Sequence, residues 1–167
     1  MVSLYSPLVD RWSQRAGLQD ADIADVRQEV FLAVSRKIGE FHRDREGDTF
    51  RGWLHRIAQN KLRDRWRSKR GQPIQEGERD FDEIAASSDG DAATVREETR
   101  LLYGRALELI KLNFEEKRWR AFWRVVVDGE PPRDVAQELQ MTVNAVYLAK
   151  GRVLARLREE FAGLIDN

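Results

Sequence analysis

The charge of this chain reverses abruptly near its middle. Between Arg51 and Arg70 lie eight basic residues and one acid, Asp64, a net of +7. The next stretch, residues 71–98, carries nine acids against Arg79 and Arg96, a net of −7. It also holds Gly71, Pro73, Gly77, Ser87, Ser88 and Gly90 with few large apolar groups. Such a stretch buries too little apolar surface to offset the entropy of ordering it. The pattern therefore predicts two folded units joined by a flexible acidic linker. The expected organisation is a unit over residues 1–70, a linker over 71–93 and a second unit over 94–167.

Both flanks carry helical periodicity, and no convincing alternation of period two appears. Leu8, Val9 and Trp12 predict a first helix ending near Gly17. Asp20 is a candidate cap for a second, whose apolar set is Ile23, Val26, Val30, Phe31 and Val34. Phe50, Trp53, Leu54, Ile57, Ala58, Leu62 and Trp66 form the buried stripe of a third. Beyond the linker, Val95, Leu101, Leu102, Leu107 and Ile110 predict a fourth, and Trp119, Phe122, Trp123 and Val126 a fifth that stops at Gly129. Pro131-Pro132 opens a short sixth with Val135, Ala136 and Leu139. A seventh follows Thr142, the expected N-cap, and buries Val146, Ala149, Val153, Leu157 and Phe161. The expected fold is all-α, in two small helical domains.

The third helix organises its charge. Arg56, Gln59, Asn60, Arg63, Arg67 and Arg70 fall on the face opposite the apolar stripe. A merely solvated face normally mixes signs, whereas this one is almost purely cationic. Gln59 and Asn60 can hydrogen-bond base edges, and Phe50 and Trp53 lie beside the cations. Cationic surface next to aromatic rings suits single-stranded nucleic acid, with bases stacked on rings and arginines following phosphates. Trp66 is expected in the core.

Residues 131–159 have the layout of a helix-turn-helix: a short helix, a tight turn at Leu139-Gln140-Met141, and a longer helix beginning with polar residues. From Thr142 to Arg158 the charges are Lys150, Arg152, Arg156 and Arg158, with no acid. Asn144, Leu148, Gly151, Arg152 and Ala155 fall on its outward side, the side that meets a major groove in such motifs. An outward Leu148 calls for an apolar partner, of which a thymine methyl is one.

Other chemistry is poorly supplied. The chain has no cysteine and two histidines, His42 and His55, so thiolate sites are excluded and imidazole sites have few ligands. The acids Asp20, Asp22, Asp25 and Glu29 lack the partner base, nucleophile or metal set that a hydrolase or nuclease needs. No catalytic residue, metal or cofactor is expected. No apolar run approaches the ~18 residues of a membrane span, and Met1–Tyr5 lacks the features of a signal peptide. A soluble, cytoplasmic protein with no membrane partner is the expectation.

Taken together, "DIADVRQEVFLAV" (Asp22 to Val34), "FRGWLHRIAQNKLRD" (Phe50 to Asp64) and the terminal helix-turn-helix resemble a bacterial RNA polymerase sigma factor of the extracytoplasmic-function group. The resemblance covers nearly the whole chain. It implies a promoter-specificity subunit that binds core RNA polymerase and directs recognition and melting of promoter DNA. Asp25, Gln28 and Glu29 would contact the clamp coiled coil of the largest subunit, with Phe31 beneath them as core. Phe50, Trp53, Arg56, Gln59, Asn60, Arg63 and Arg67 would hold the melted minus-10 strand, and the loop Phe41 to Thr49 would receive a flipped base. Thr142, Asn144, Tyr147, Leu148, Lys150, Gly151, Arg152 and Arg156 would read the minus-35 duplex, while the same domain packs on the polymerase flap tip. The acidic linker would thread the channel later used by RNA. An anti-sigma protein is a further partner known in the group.

The chain departs from that family at two informative places. Gln140 stands where the turn of the helix-turn-helix usually has glycine. Tyr147, Leu148 and Ala149 stand where Lys-Ser-Arg is common, which removes two cations from the reading helix. The competing reading is a stand-alone helix-turn-helix repressor or activator that binds duplex DNA. It leaves residues 22–34 and 50–70 without a task.

Overall fold

The computed structural model describes residues 1–44, 46–71 and 91–165. The expected acidic linker lies almost wholly outside the described residues. Among those residues there are seven α-helices and no strand: α1 (Val2–Arg15), α2 (Asp20–Lys37), α3 (Phe50–Lys69), α4 (Ala92–Lys111), α5 (Glu116–Val126), α6 (Pro132–Glu138) and α7 (Val143–Phe161). A single 3-10 turn, Ile38–Glu40, follows α2. The fold is all-α. It divides into two compact units, one of residues 1–102 with 163–167, the other of residues 103–162.

In the first unit α1, α2 and α3 pack their apolar stripes together. Leu4, Tyr5, Leu8, Val9 and Trp12 of α1 are buried with Ile23, Val26, Val30 and Val34 of α2 and Phe50, Leu54, Ile57, Ala58 and Leu62 of α3. Gly17 ends α1 at φ +83, the left-handed geometry that closes a helix when no Cβ obstructs it. The Gly17 amide donates to Gln14 O and the Leu18 amide to Ser13 O. Asp20 is not the cap of α2. Gln19 holds that position, and Asp20 sits in the first turn, where a negative charge favours the helix N-terminus. Helix α3 is capped by Thr49, whose Oγ1 accepts from the Gly52 amide at 3.0 Å.

Helix α4 begins under Asp91, whose carboxylate accepts from the Thr94 amide at 2.8 Å. Its buried stripe is Glu98, Leu102, Ala106 and Ile110, one residue every four. Leu101, expected inside, is exposed, because the buried line runs through its neighbour Leu102. The first three turns of α4 belong to the first unit. There Glu98 is only 3% exposed and receives Arg51 Nη1 at 2.8 Å and Trp12 Nε1 at 2.7 Å.

The second unit is built on α5, α6 and α7. Ala121, Val135, Ala136, Leu139, Val146 and Ala149 form its centre, with Val125 and Met141 against them. Trp119 and Phe122 are buried, whereas Trp123 and Val126 are exposed, so α5 turns only part of its apolar set inward. Arg124 clasps the unit together, bonding Glu130 (Nε to Oε1, 2.8 Å) in the following loop and Glu138 (2.7 Å) at the end of α6. The guanidinium holds the Glu130 carboxyl below its usual range, and the two acids in turn raise the pKa of Arg124.

Candidate nucleic-acid interface

The N-terminal end of α3 is an aromatic cluster. Phe50 lies 5.1 Å from Tyr5, 5.4 Å from Phe41 and 5.5 Å from Trp53, ring centre to ring centre, and Phe41 is 5.2 Å from Trp53. Phe50 is 1% exposed. Its ring, expected to meet DNA, is here the buried floor on which Phe41 and Trp53, both half-buried, are mounted. Those two are the partly accessible rings of this cluster.

Along the same helix, Trp53, Arg56, Asn60, Arg63 and Arg67 recur at helical spacing on one face. Among the described residues, no side chain of Arg56, Arg63 and Arg67 makes a hydrogen bond or ion pair. A row of unpartnered guanidinium groups is expensive in self-repulsion unless an anion lies over it. Gln59 is engaged locally, its Nε2 lying 3.2 Å from His55 Nε2. Trp66, expected in the core, is exposed at the end of the helix, with the Lys69 ammonium 5.7 Å from its ring centre.

Not every cation of α3 is free. Arg51 is buried against Glu98. Arg65 turns toward α2 and bonds Asp22 at 2.8 Å and Asp25 at 2.7 Å, and Lys69 also pairs with Asp22. Lys69 and Arg65 together hold the Asp22 carboxyl below its ordinary pKa. Thus Asp25 serves both the α2–α3 contact and the outer face of α2. On that face Asp25 and Gln28 are exposed, Glu29 is half-buried, and Leu32, one turn further on, is 51% exposed. Phe31 is only half-buried beneath them. The sequence reading missed Leu32. Its position outside the Ile23–Val26–Val30–Val34 stripe was the available signal.

In the second unit Thr142 caps α7, Oγ1 accepting from the Ala145 amide at 3.0 Å. The turn before it holds Gln140 at φ +51, the strained geometry expected of a side chain in glycine's place. Lys117 Nζ bonds the Gln140 carbonyl at 3.3 Å, and the Met141 amide bonds Ala136 O at 2.8 Å, so the turn is held from both sides. Val146, Ala149 and Val153 face the core, and Asn144, Tyr147, Leu148, Gly151, Arg152 and Ala155 are exposed. Lys150 is half-buried at the margin. Arg156 pairs with Glu159 at 3.5 Å and with Glu160, so its charge is compensated inside the helix.

Comparison with known proteins agrees with this geometry. The family described as Sigma-70 region 2 matches residues 1–72. The RNA polymerase sigma factor CnrH of Cupriavidus metallidurans is 28% identical over 99% of this chain and 85% of its own length. The RNA polymerase sigma factor NccH of Alcaligenes xylosoxydans xylosoxydans is 32% identical over 73 residues, 44% of this chain and 38% of that protein. The region-2 match spans α1 to α3, the helices that carry the aromatic and cationic face, and the likeness to CnrH continues through the helix-turn-helix. The chain is thus similar to an RNA polymerase sigma factor over nearly its whole length, and its residues 1–72 match Sigma-70 region 2.

Proposed function

We propose that the chain is a promoter-specificity subunit that carries core RNA polymerase to a set of promoters and opens them without a reaction of its own. The observation that carries this reading is the face of α3. It sets the partly accessible Phe41 and Trp53 rings beside a row of arginines whose side chains have no partner among the described residues. Extruding a base costs a few kcal/mol, and stacking on a ring returns ~1–3 kcal/mol per base. Binding the unpaired minus-10 strand can therefore drive melting with no nucleotide hydrolysis.

In this reading Asp25, Gln28 and Glu29, with Leu32 beside them, dock on the clamp coiled coil. Trp53, Arg56, Gln59, Asn60, Arg63 and Arg67 hold the minus-10 strand. The helix-turn-helix places Thr142, Asn144, Tyr147, Leu148, Lys150, Gly151, Arg152 and Arg156 at the minus-35 duplex and packs on the flap tip. Functionally the chain divides into residues 1–70, a linker 71–93 and residues 94–167. Its place of action is the cytoplasm, where core polymerase works. Among the described residues no helix is long and apolar enough to cross a membrane. An anti-sigma protein is the regulatory partner the family implies.

Reconstituted transcription tests this directly. Core polymerase free of other sigma factors, given the purified chain and a promoter library, initiates from a sequence-defined subset. If core binding and initiation are both absent while duplex fragments are still retained, the chain is a stand-alone helix-turn-helix regulator instead.

A further inference from the structure

The outer face of α7 has an unusual chemistry for a helix that meets phosphates. Its first two turns expose Val143, Tyr147 at 54% and Leu148 at 51% side by side, with Asn144 between them and Arg152 one turn on. These positions follow helical spacing, so they form one apolar strip on the solvent side. Nothing inside the unit covers it: the helix turns Val146, Ala149 and Val153 inward. The margin is electropositive, since residues 142–158 contain no acid. Among the described residues Lys150, Arg152 and Arg158 make no ion pair. An apolar strip rimmed by free cations fits a polyanion that offers apolar groups between its charged edges.

Gly151 adds an independent observation. A Cβ placed there meets nothing within 4 Å, and its φ is not in the left-handed range. Glycine in a helix interior is unfavourable relative to alanine. Nothing among the described residues repays that cost, so the missing side chain serves an approach from outside, beside Leu148 and Arg152.

The major groove offers one apolar group on its base edges, the C5 methyl of thymine. We propose that α7 reads its duplex chiefly through thymine methyls packed on Val143, Tyr147 and Leu148, with the Gly151 backbone admitting the groove edge. Arg152 and Asn144 supply the flanking polar contacts. The proposal rests on the reading of α7 as the minus-35 helix and specifies what that helix recognises.

Deoxyuridine lacks only the methyl, so it tests this without altering base pairing. Holoenzyme containing the full chain is used to select promoter fragments from a random library. Each minus-35 thymine is then replaced by deoxyuridine and binding is measured. The expected result is ~4-fold weaker binding per contacted methyl, from the transfer free energy of one buried methyl group. Leu148→Ala holoenzyme should lose the distinction between thymine and deoxyuridine at the position Leu148 covers and keep it at the others. Gly151→Ala should raise the melting temperature of the chain and still weaken minus-35 binding. Equal binding of both fragments by the unaltered protein, with sequence preference intact, overturns methyl reading and leaves the minus-35 role standing. Loss of all duplex preference overturns both. Should Leu148→Ala reduce affinity for core polymerase without changing the response to deoxyuridine, the strip is a protein-docking surface and the proposal fails.

Discussion

Arg51 and Glu98, 47 residues apart in sequence, form a buried ion pair with Arg51 Nη1 2.8 Å from Glu98 Oε2. The other carboxylate oxygen accepts from Trp12 Nε1 at 2.7 Å, and Arg15 stands 3.8 Å away. Three helices, α1, α3 and the start of α4, thus meet on one carboxylate. Glu97 beside it pairs with Arg11 at 2.6 Å on the exposed side. A buried pair of this kind is retained because each charge, once desolvated, depends on the other.

Removing one member should therefore cost much more than replacing both. Glu98→Ala removes the buried carboxylate to which both the Arg51 guanidinium and the Trp12 indole N–H donate. The expected destabilisation is ~3–5 kcal/mol, read by chemical unfolding. A double replacement of Arg51 by Met and Glu98 by Leu should recover most of it. Equal loss in the single and double variants would mean the pair itself contributes the stability.

The arginines of α3 should separate by partner. Arg63 has none among the described residues, so Arg63→Ala should weaken binding of a minus-10 single strand and flatten its salt dependence by ~0.7 in log–log slope. Arg65 is held by Asp22 and Asp25. Arg65→Ala should instead loosen the α2–α3 contact and lower the melting temperature, with a smaller effect on strand binding. Identical phenotypes would argue against the division.

Glu29→Ala tests the outer face of α2. The side chain has no hydrogen bond or ion pair among the described residues, so the fold should be unchanged while affinity for core polymerase drops several-fold. Unchanged affinity in a titration would remove Glu29 from the interface. Leu32→Ala, on the same face, should act in the same direction.

Asp22 predicts a pH dependence. Its folded pKa lies below the unfolded value because Lys69 and Arg65 bond the carboxylate. The stability it contributes is therefore present above the unfolded value of ~3.9 and is lost as pH falls through the lower folded value. Glu130, depressed by Arg124, acts in the same sense within the second unit. In unfolding measured across acidic pH, Asp22→Asn should flatten the loss of stability below about pH 4. The site is partly exposed, so the effect should be modest and should shrink with added salt.

Gln140 holds a backbone geometry that glycine adopts without penalty. Gln140→Gly should stabilise the second unit by ~0.5–1 kcal/mol, the relieved strain being partly offset by the looser unfolded chain. A β-branched residue there should do the opposite. Thermal unfolding of the variants orders them.

By itself the sequence determined what is local: seven helices, the stop at Gly17, the Thr142 cap, the strain at Gln140 and the outward set on α7. These follow from spacings of three or four residues and from the demands of single backbone positions, which neighbours along the chain decide. It could not say which charges are for export. Arg51 and Arg63 look alike in a basic stretch, and Glu98 looks like the end of an acidic one, yet Arg51 and Glu98 are buried together while the Arg63 side chain is exposed with no partner among the described residues. Phe50 and Trp53 are likewise similar on a helical wheel, but only the packing of Tyr5 and Phe41 makes one a floor and leaves the other within reach. The tertiary structure decided these cases because desolvation and pairing depend on groups tens of residues away, brought together by the packing of α1, α3 and α4.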